Sequence, residues 1–374
     1  MESLQEYMNG SIRGIMAKAY AGVLSNPREA KFVYRLQKSF VRSESRRKKL
    51  SEKEGVDIPP FLICSISTAC NLHCKGCYAR TNGIASDDAG KPSLSGEQWL
   101  GIFREASSLG VNFSLLAGGE PLMRRDILDQ VSRVEDMIFP VFTNGTLIGR
   151  NYTAFFKEHL NMIPVISIEG TQMGTDERRG AGVFQRAVKA MENLHAEDLF
   201  FGASLTVTTA NMHLVTSDAF IDQLRGLGCR ILFYVEYVPT ESGTEDLAFK
   251  DEHTAEMEKI LETRRGKYSD IIFLSFPGDE KELGGCLAAG RGFFHIGPDG
   301  RAEPCPFSPY SDTNVADIGV KEALKSPLFR KLRDIRLVGG GHTGGCTLWE
   351  HRDEVQALLE GQQNNGERCI EGML

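Results

Sequence analysis

The chain has 374 residues, 41% hydrophobic and 25% charged, with a formal charge of −7, a globular composition with room for one large domain and a smaller one. No stretch reaches the ~20 consecutive apolar residues of a membrane span, and the opening "MESLQEYMNGSIRG" lacks the charged-then-apolar order of a secretory signal. The expected location is therefore the cytoplasm, where clustered thiols serve as ligands rather than as disulfides.

Residues 1–54 hold twelve Lys/Arg against six Asp/Glu, a balance of +6 that leaves −13 on the remainder. So acidic a body argues against nucleic acid as the main partner. Within the basic segment, "SIRGIMAKAYAGVL" and "REAKFVYRLQKSFVR" read as two amphipathic helices broken at "SNP", followed by the basic run Arg46–Lys49. The favoured reading packs these helices on the main domain and leaves "RRKKLSEKEG" as a solvated connector. The second reading is a peripheral contact with an anionic membrane, or with a carrier-bound or peptide substrate.

From Phe61 onward short apolar runs alternate with amphipathic ones. The runs "FLICSIS", "VNFSLLAG", "IFPVFTN", "IPVISIE", "FFGASLTVT" and "RILFYVEYV" predict six strands, apolar nearly throughout as strands buried on both faces are. Between them, "SGEQWLGIFREASSLG" predicts a helix with Ser95 as N-cap, Gln98 closing a capping box and Gly110 as the stop. Similar patterns recur between the later strands. Such alternation implies right-handed βαβ units, and hence a parallel sheet or barrel. The strands are followed in turn by a cysteine cluster, "GGEP", "TNGT", "SIEG", "TTANMH" and "YVP". In a parallel barrel these turns converge on one rim, where active sites are built. The expected architecture is a partial (β/α)6 TIM barrel over residues 59–240, after a basic helical extension over 1–58. A helical linker over 241–280 then leads to a small cysteine-containing module over 281–374.

Cys70, Cys74 and Cys77 stand in "CNLHCKGCYAR" with the spacing C-x3-C-x2-C. A [4Fe–4S] cube takes one thiolate per iron, so three from one loop leave an iron open. A structural zinc site wants four closed ligands, with His73 as the only local candidate for the fourth. The spacing favours the cluster.

This stretch resembles the cluster motif of the radical S-adenosylmethionine (SAM) enzymes, which is commonly followed by an aromatic residue, here Tyr78. The resemblance implies that the open iron chelates SAM, and that one electron then splits it to a 5′-deoxyadenosyl radical that abstracts a substrate hydrogen. Gly76 stands where many members carry an aromatic residue before the third cysteine. Further SAM contacts implied are Gly118, Gly119 and Glu120 of "GGEP" at the amino group, and Ser167 and Glu169 of "SIEG" at the ribose and carboxylate. Many relatives carry Asp where this chain has Glu169. In "TDERRGAGVFQRA" the Arg before Gly points to Arg179 for the SAM carboxylate, with Arg178 competing and a solvated surface arginine as the plain alternative. Turn chemistry accounts for Asn144 and Asn211 nearly as well as ligand contact does.

Cys286 and Cys305 stand as C-x13-G-x4-C around "GPDG", a tight turn between two short strands, and "HTGGCTLWE" adds Cys346. The pattern resembles the auxiliary-cluster modules called SPASM and twitch. A full SPASM module has seven cysteines, so a single second [4Fe–4S] cluster is expected here, with Cys369, His342 or the substrate as fourth ligand. Cys64 and Cys229 read as buried hydrophobes. The resemblance implies hydrogen abstraction from a peptide or protein, with a small metabolite, cofactor precursor or lipid as the alternative, and an external one-electron donor of flavodoxin or ferredoxin type. A non-catalytic iron–sulfur electron-transfer protein is the reading from another class.

Overall fold

The computed structural model describes residues 13–14, 27–88, 90–278, 280, 284–339 and 346–360. Seven parallel strands form the body: β1 (Phe61–Ser67), β2 (Phe113–Gly118), β3 (Phe139–Thr143), β4 (Met162–Ser167), β5 (Gly202–Val207), β6 (Ile231–Glu236) and β7 (Ile272–Phe276). They lie side by side in chain order. Beyond β1 the same sheet continues into β8 (His295–Ile296), parallel to β1, and β9 (Ala302–Glu303), antiparallel to β8. Because β7 and β9 are its two edges, the sheet is an open, partial barrel. The six expected strands are all present. The seventh lies in the stretch expected to be a helical linker, directly after a 17-residue helix, Asp251–Lys267.

The strands are apolar on both faces for two different reasons. On the outer face Leu62, Cys64 and Ile66 of β1 join Trp99 and Phe103 of the helix Gly96–Leu109 in one continuous core. On the inner face Ile63, Leu115, Phe142, Phe233 and Leu274 line a cavity of about 1000 Å³. The helix Gly96–Leu109 starts on the expected capping box, with Ser95 accepting from the Gln98 amide and Gln98 answering to the Ser95 amide. It stops at Gly110 in the left-handed conformation (φ 98°), which glycine adopts without cost.

Residues Pro27–Glu54 form one unbroken 28-residue helix, so the basic run expected as a connector is helical, solvated at Arg46, Lys48 and Lys49 and buried at Arg47. Its Val33, Leu36 and Phe40 pack with Ile138, Phe113, Ile163 and Phe200 at the N-terminal ends of the strands. That places the helix across the floor of the barrel. Arg47, only 3% exposed, donates to the Gly110 carbonyl (2.5 Å) and to Asn112 Oδ1 (2.6 Å). A β-carbon at Gly110 would sit 2.7 Å from the Ser43 carbonyl oxygen, so the same glycine lets this helix approach.

A buried polar chain ties the C-terminal hairpin to the barrel. His295 Nδ1 hydrogen-bonds Glu303 Oε2 at 2.7 Å and its Nε2 meets Ser65 Oγ at 2.8 Å, all three residues being 1% exposed or less. A carboxylate accepts only, so Nδ1 carries a proton toward Glu303. Removing one partner of such a buried pair costs far more than breaking an exposed one. Glu303→Ala is therefore expected to lower the unfolding free energy by roughly 3 kcal/mol in urea denaturation. Lys157→Ala, which breaks the exposed pair with Glu197, should leave the midpoint unchanged.

Candidate active site at the C-terminal rim

The loop after β1 carries Cys70, Cys74 and Cys77 and has almost no regular structure of its own, so neighbouring turns hold it. The Gly119 amide donates to the Ser67 carbonyl (2.7 Å) and the Glu120 amide to the Ala69 carbonyl (2.8 Å), which sets the chain entering Cys70. This needs glycine. A β-carbon at Gly119 would lie 2.2 Å from the Ala69 oxygen, and Gly118 has φ 113°. The turn after β3 grips the next residue: Asn71 donates to Thr146 Oγ1 and accepts from Asn144 Nδ2. Arg80 holds the Leu72 carbonyl. At the far end the Lys75 amide donates to the Arg178 carbonyl, while the Arg178 side chain donates to the carbonyls of Lys75 and Gly76.

All three thiols are free, half-buried and line the same cavity, together with Tyr78, Gly118, Gly119, Glu120, Ser167, Arg178 and Arg179. Burial pushes the Cys70 thiol up to about 11, and the nearby Glu120 and the other two cysteines act in the same direction. Burial also raises Cys74, opposed by the charges of Arg179 and Arg178. A group that binds thiolates must overcome that burial by its own positive charge.

Glu120 is 1% exposed and accepts from Thr143 Oγ1 (2.7 Å), the Asn144 amide (2.8 Å) and the Leu122 amide (3.0 Å). Burial nevertheless raises its carboxyl, the hydrogen bonds and Arg179 pulling the other way. Its first task is thus to pin the turn after β2 to the turn after β3. Glu169 is turned to the two arginines, accepting from Arg178 Nη1 and Arg179 Nη2 at 2.5 Å each. Both arginines act on Cys74, but Arg178 also binds Thr206 Oγ1 (2.7 Å) and the cysteine loop, while the Arg179 charge acts on Glu120 as well. Tyr78 packs on Phe307 with ring centroids 5.0 Å apart. The space a side chain at Gly76 would need is filled by Tyr237, whose hydroxyl oxygen would stand 2.7 Å from a β-carbon there. Asn144 and Asn211 both serve their own turns, Asn211 accepting from the Thr208 amide and donating to the Thr206 carbonyl.

His73 does not join the thiols. It is exposed and hydrogen-bonds Asp87 Oδ2 at 3.0 Å, which removes the local fourth ligand of a zinc site. Among the described residues no three His, Cys, Asp or Glu side chains close on a single metal ion. A cube spreads its thiolates over separate irons.

A second set of thiols lies beyond β8. The hairpin turn at "GPDG" forms as expected, with Gly300 at φ 90°. Cys305 and Cys346 hydrogen-bond to each other, and Cys286 feels the charge of Cys346. Hydrogen bonding from Cys305 lowers Cys346, helped by the Trp349 and Leu348 amides, whereas burial drives Cys305 and Cys286 well up. Cys369 and His342 lie outside the described residues. Cys64 and Cys229 are buried, hydrogen-bonded to Ser114 and to the Ile231 carbonyl respectively. Sequence reasoning missed Thr206, Tyr237 and two buried acids, Glu236 and Glu280, that also line the cavity. Glu236 and Tyr237 fall at the end of the sixth predicted strand, where a rim position was already the signal.

A parallel partial barrel with three free thiols on its C-terminal rim carries them where barrel enzymes build their active sites. Residues 64–222 match the radical SAM superfamily, and that part of the chain is a radical SAM domain. The chain is 29% identical over 321 residues to the mycofactocin maturase MftC of Mycobacterium ulcerans, covering 79% of this chain and 83% of that protein. It is 30% identical over 216 residues to the Fe-coproporphyrin III synthase of Methanosarcina barkeri, 56% of this chain and about half (52%) of that relative's length. In fold it resembles Streptococcus suis SuiB, solved with the precursor peptide SuiA, at a TM-score of 0.62 and 16% identity over 78% of this chain and 71% of that one.

The three thiols fit the cluster of that superfamily, since they are free, share one cavity and have no competing ligand in their loop. Gly119→Ala pushes Ala69, and with it Cys70, out of place. The iron retained after anaerobic reconstitution is expected to fall by about half, the share of one of two four-iron clusters. Gly101→Ala, on open helix surface, should leave it unchanged.

Proposed function

We propose that the chain is a radical SAM enzyme that removes a hydrogen atom from a peptide or protein substrate within the barrel, assisted by an auxiliary cluster. The observation that carries this reading is the trio of free thiols opening onto a 1000 Å³ cavity whose rim is otherwise built of backbone and fixed charge. Cys70, Cys74 and Cys77 would hold a [4Fe–4S] cluster, and Cys286, Cys305 and Cys346 a second. When bound, the first supplies the electron that splits SAM to a 5′-deoxyadenosyl radical.

The protein's own residues do the placing. Gly118 and Gly119 bring backbone close to the SAM amino group, held there by the anchored Glu120. Arg179 meets the SAM carboxylate, and Ser167 lies within the cavity at the ribose position. Glu169 acts as a positioning residue that orients both arginines, and Tyr78 as a packing link to Phe307. The inner wall of Phe142, Phe233 and Leu274 keeps water from a carbon-centred radical.

Support for a peptide substrate comes from the maturase MftC and from SuiB, solved with its precursor peptide. The alternative, a small metabolite or cofactor precursor, is favoured by the likeness to a coproporphyrin synthase. The apolar side of the helix Pro27–Glu54 is spent on the barrel floor, which favours packing over a membrane surface. No helix among the described residues is long and apolar enough to cross a membrane. The eight described cysteines are all free, in keeping with a cytoplasmic setting and a flavodoxin- or ferredoxin-type electron donor.

Reconstituted protein given dithionite and SAM should release 5′-deoxyadenosine, and Cys74→Ala should abolish release. Its absence from the parent chain would overturn the enzymatic reading in favour of an electron-transfer protein. With a uniformly deuterated cell extract split by size, deuterium should enter 5′-deoxyadenosine from the peptide fraction. Transfer from the small-molecule fraction alone would contradict the peptide assignment. Arg179→Ala should raise the SAM concentration for half-maximal cleavage about tenfold, equivalent to one lost charge-assisted hydrogen bond.

A further inference from the structure

The auxiliary thiols come three at a time, as the first set does, yet a cube has four corners. This inference rests on the reading that Cys286, Cys305 and Cys346 hold such a cluster. Glu280 stands at that site and has no role in the placement of SAM. It is 3% exposed, and its Oε1 has no hydrogen-bond partner among the described residues. A buried carboxylate in that condition is costly unless a cation or metal meets it.

The chain is folded so as to bring this carboxylate to the thiols. The Gly285 amide donates to the Glu280 carbonyl oxygen at 3.1 Å, and the Leu287 amide donates to the Glu280 carboxylate. These two bonds bracket Cys286 and turn it back toward residue 280. The Glu280 charge acts on the Cys286 thiol and the Cys346 charge on the Glu280 carboxyl, so the carboxylate lies within electrostatic reach of both. Arg291 lies alongside, its Nη1 donating to the Cys286 carbonyl at 2.6 Å and to the Gly285 carbonyl at 3.2 Å. Glu280 also lines the barrel cavity shared by Cys70, Cys74 and Cys77. Glu280 thus belongs both to the cavity of the first thiol set and to the surroundings of the second.

We propose that the Glu280 carboxylate is the fourth ligand of the auxiliary cluster, taking the iron that Cys286, Cys305 and Cys346 leave without a thiolate. An oxygen ligand binds that iron less tightly than a thiolate but holds it more firmly than solvent would.

The test uses the full chain carrying Cys70→Ala, Cys74→Ala and Cys77→Ala, reconstituted anaerobically so that only the auxiliary cluster forms. Iron is counted and electron paramagnetic resonance recorded before and after mild ferricyanide oxidation. With Glu280 present, about four irons should survive oxidation. Glu280→Gln, equal in size but a poor ligand, should lose one of the four and show the signal of a three-iron cluster. Glu280→Cys should restore retention, which guards against a merely misfolded glutamine variant. Full retention in Glu280→Gln overturns the proposal. So does a three-iron signal already present with Glu280 intact, or iron loss on Cys369→Ala in place of Glu280→Gln. If Cys286→Ala and Cys346→Ala leave the iron count of this background unchanged, the underlying reading of an auxiliary cluster fails instead.

Discussion

Two backbone hydrogen bonds, from the Gly119 and Glu120 amides to the carbonyls of Ser67 and Ala69, decide whether this protein has a site at all. The loop that follows carries three thiols, of which burial raises the proton affinity of Cys70 and Cys74, and no repeating hydrogen bonds of its own. Left to itself it would have many conformations, each costing on the order of 1–2 kcal/mol per residue to fix. The turn after β2 removes that freedom at the loop's start, and Arg178 removes it at the end. Glycine is required because any side chain at 119 would collide with the very carbonyl it pairs beside.

From that constraint the rest of the rim follows as a set of shared anchors. Glu120 ties the second turn to the third, Asn71 ties the third to the cysteine loop, and Glu169 ties both arginines to the end of the fourth strand. Each anchor is a charged or amide group held by hydrogen bonds within the protein. Little of the rim is therefore free to rearrange when a ligand arrives. The thiols, the Arg179 edge and the cavity are what remain open to one.

Much of this was legible in the sequence because it rests on local chemistry. Strand-length apolar runs, the Ser95–Gln98 capping box, the "GPDG" hairpin and the cysteine spacing each need only neighbours in the chain. The seventh strand, "IFLSF", has the same apolar character but follows a polar helix that reads as a linker, so its sheet partner was not evident. The basic run at 46–49 is helical and docks through contacts more than sixty residues away, Arg47 on a carbonyl and an amide and Arg46 on two further carbonyls. The roles of Arg178 and Arg179 split by which carbonyls of the cysteine loop come within reach, and the chain Ser65–His295–Glu303 depends on β8 docking beside β1. Such pairings are tertiary facts. Glu280 belongs with them, a carboxylate whose meaning comes from the thiols the fold sets beside it.

The central claim is that three thiolates at 70, 74 and 77 leave one iron for SAM. The most direct measurement is electron–nuclear double resonance on the reduced cluster of a Cys286→Ala chain mixed with SAM carrying 15N in its amino group. The account predicts a resolved 15N coupling, of the size given by nitrogen bound to iron, that vanishes when the label is withheld. A reduced cluster whose spectrum is unaltered by SAM, with no 15N coupling at saturating concentration, would contradict it.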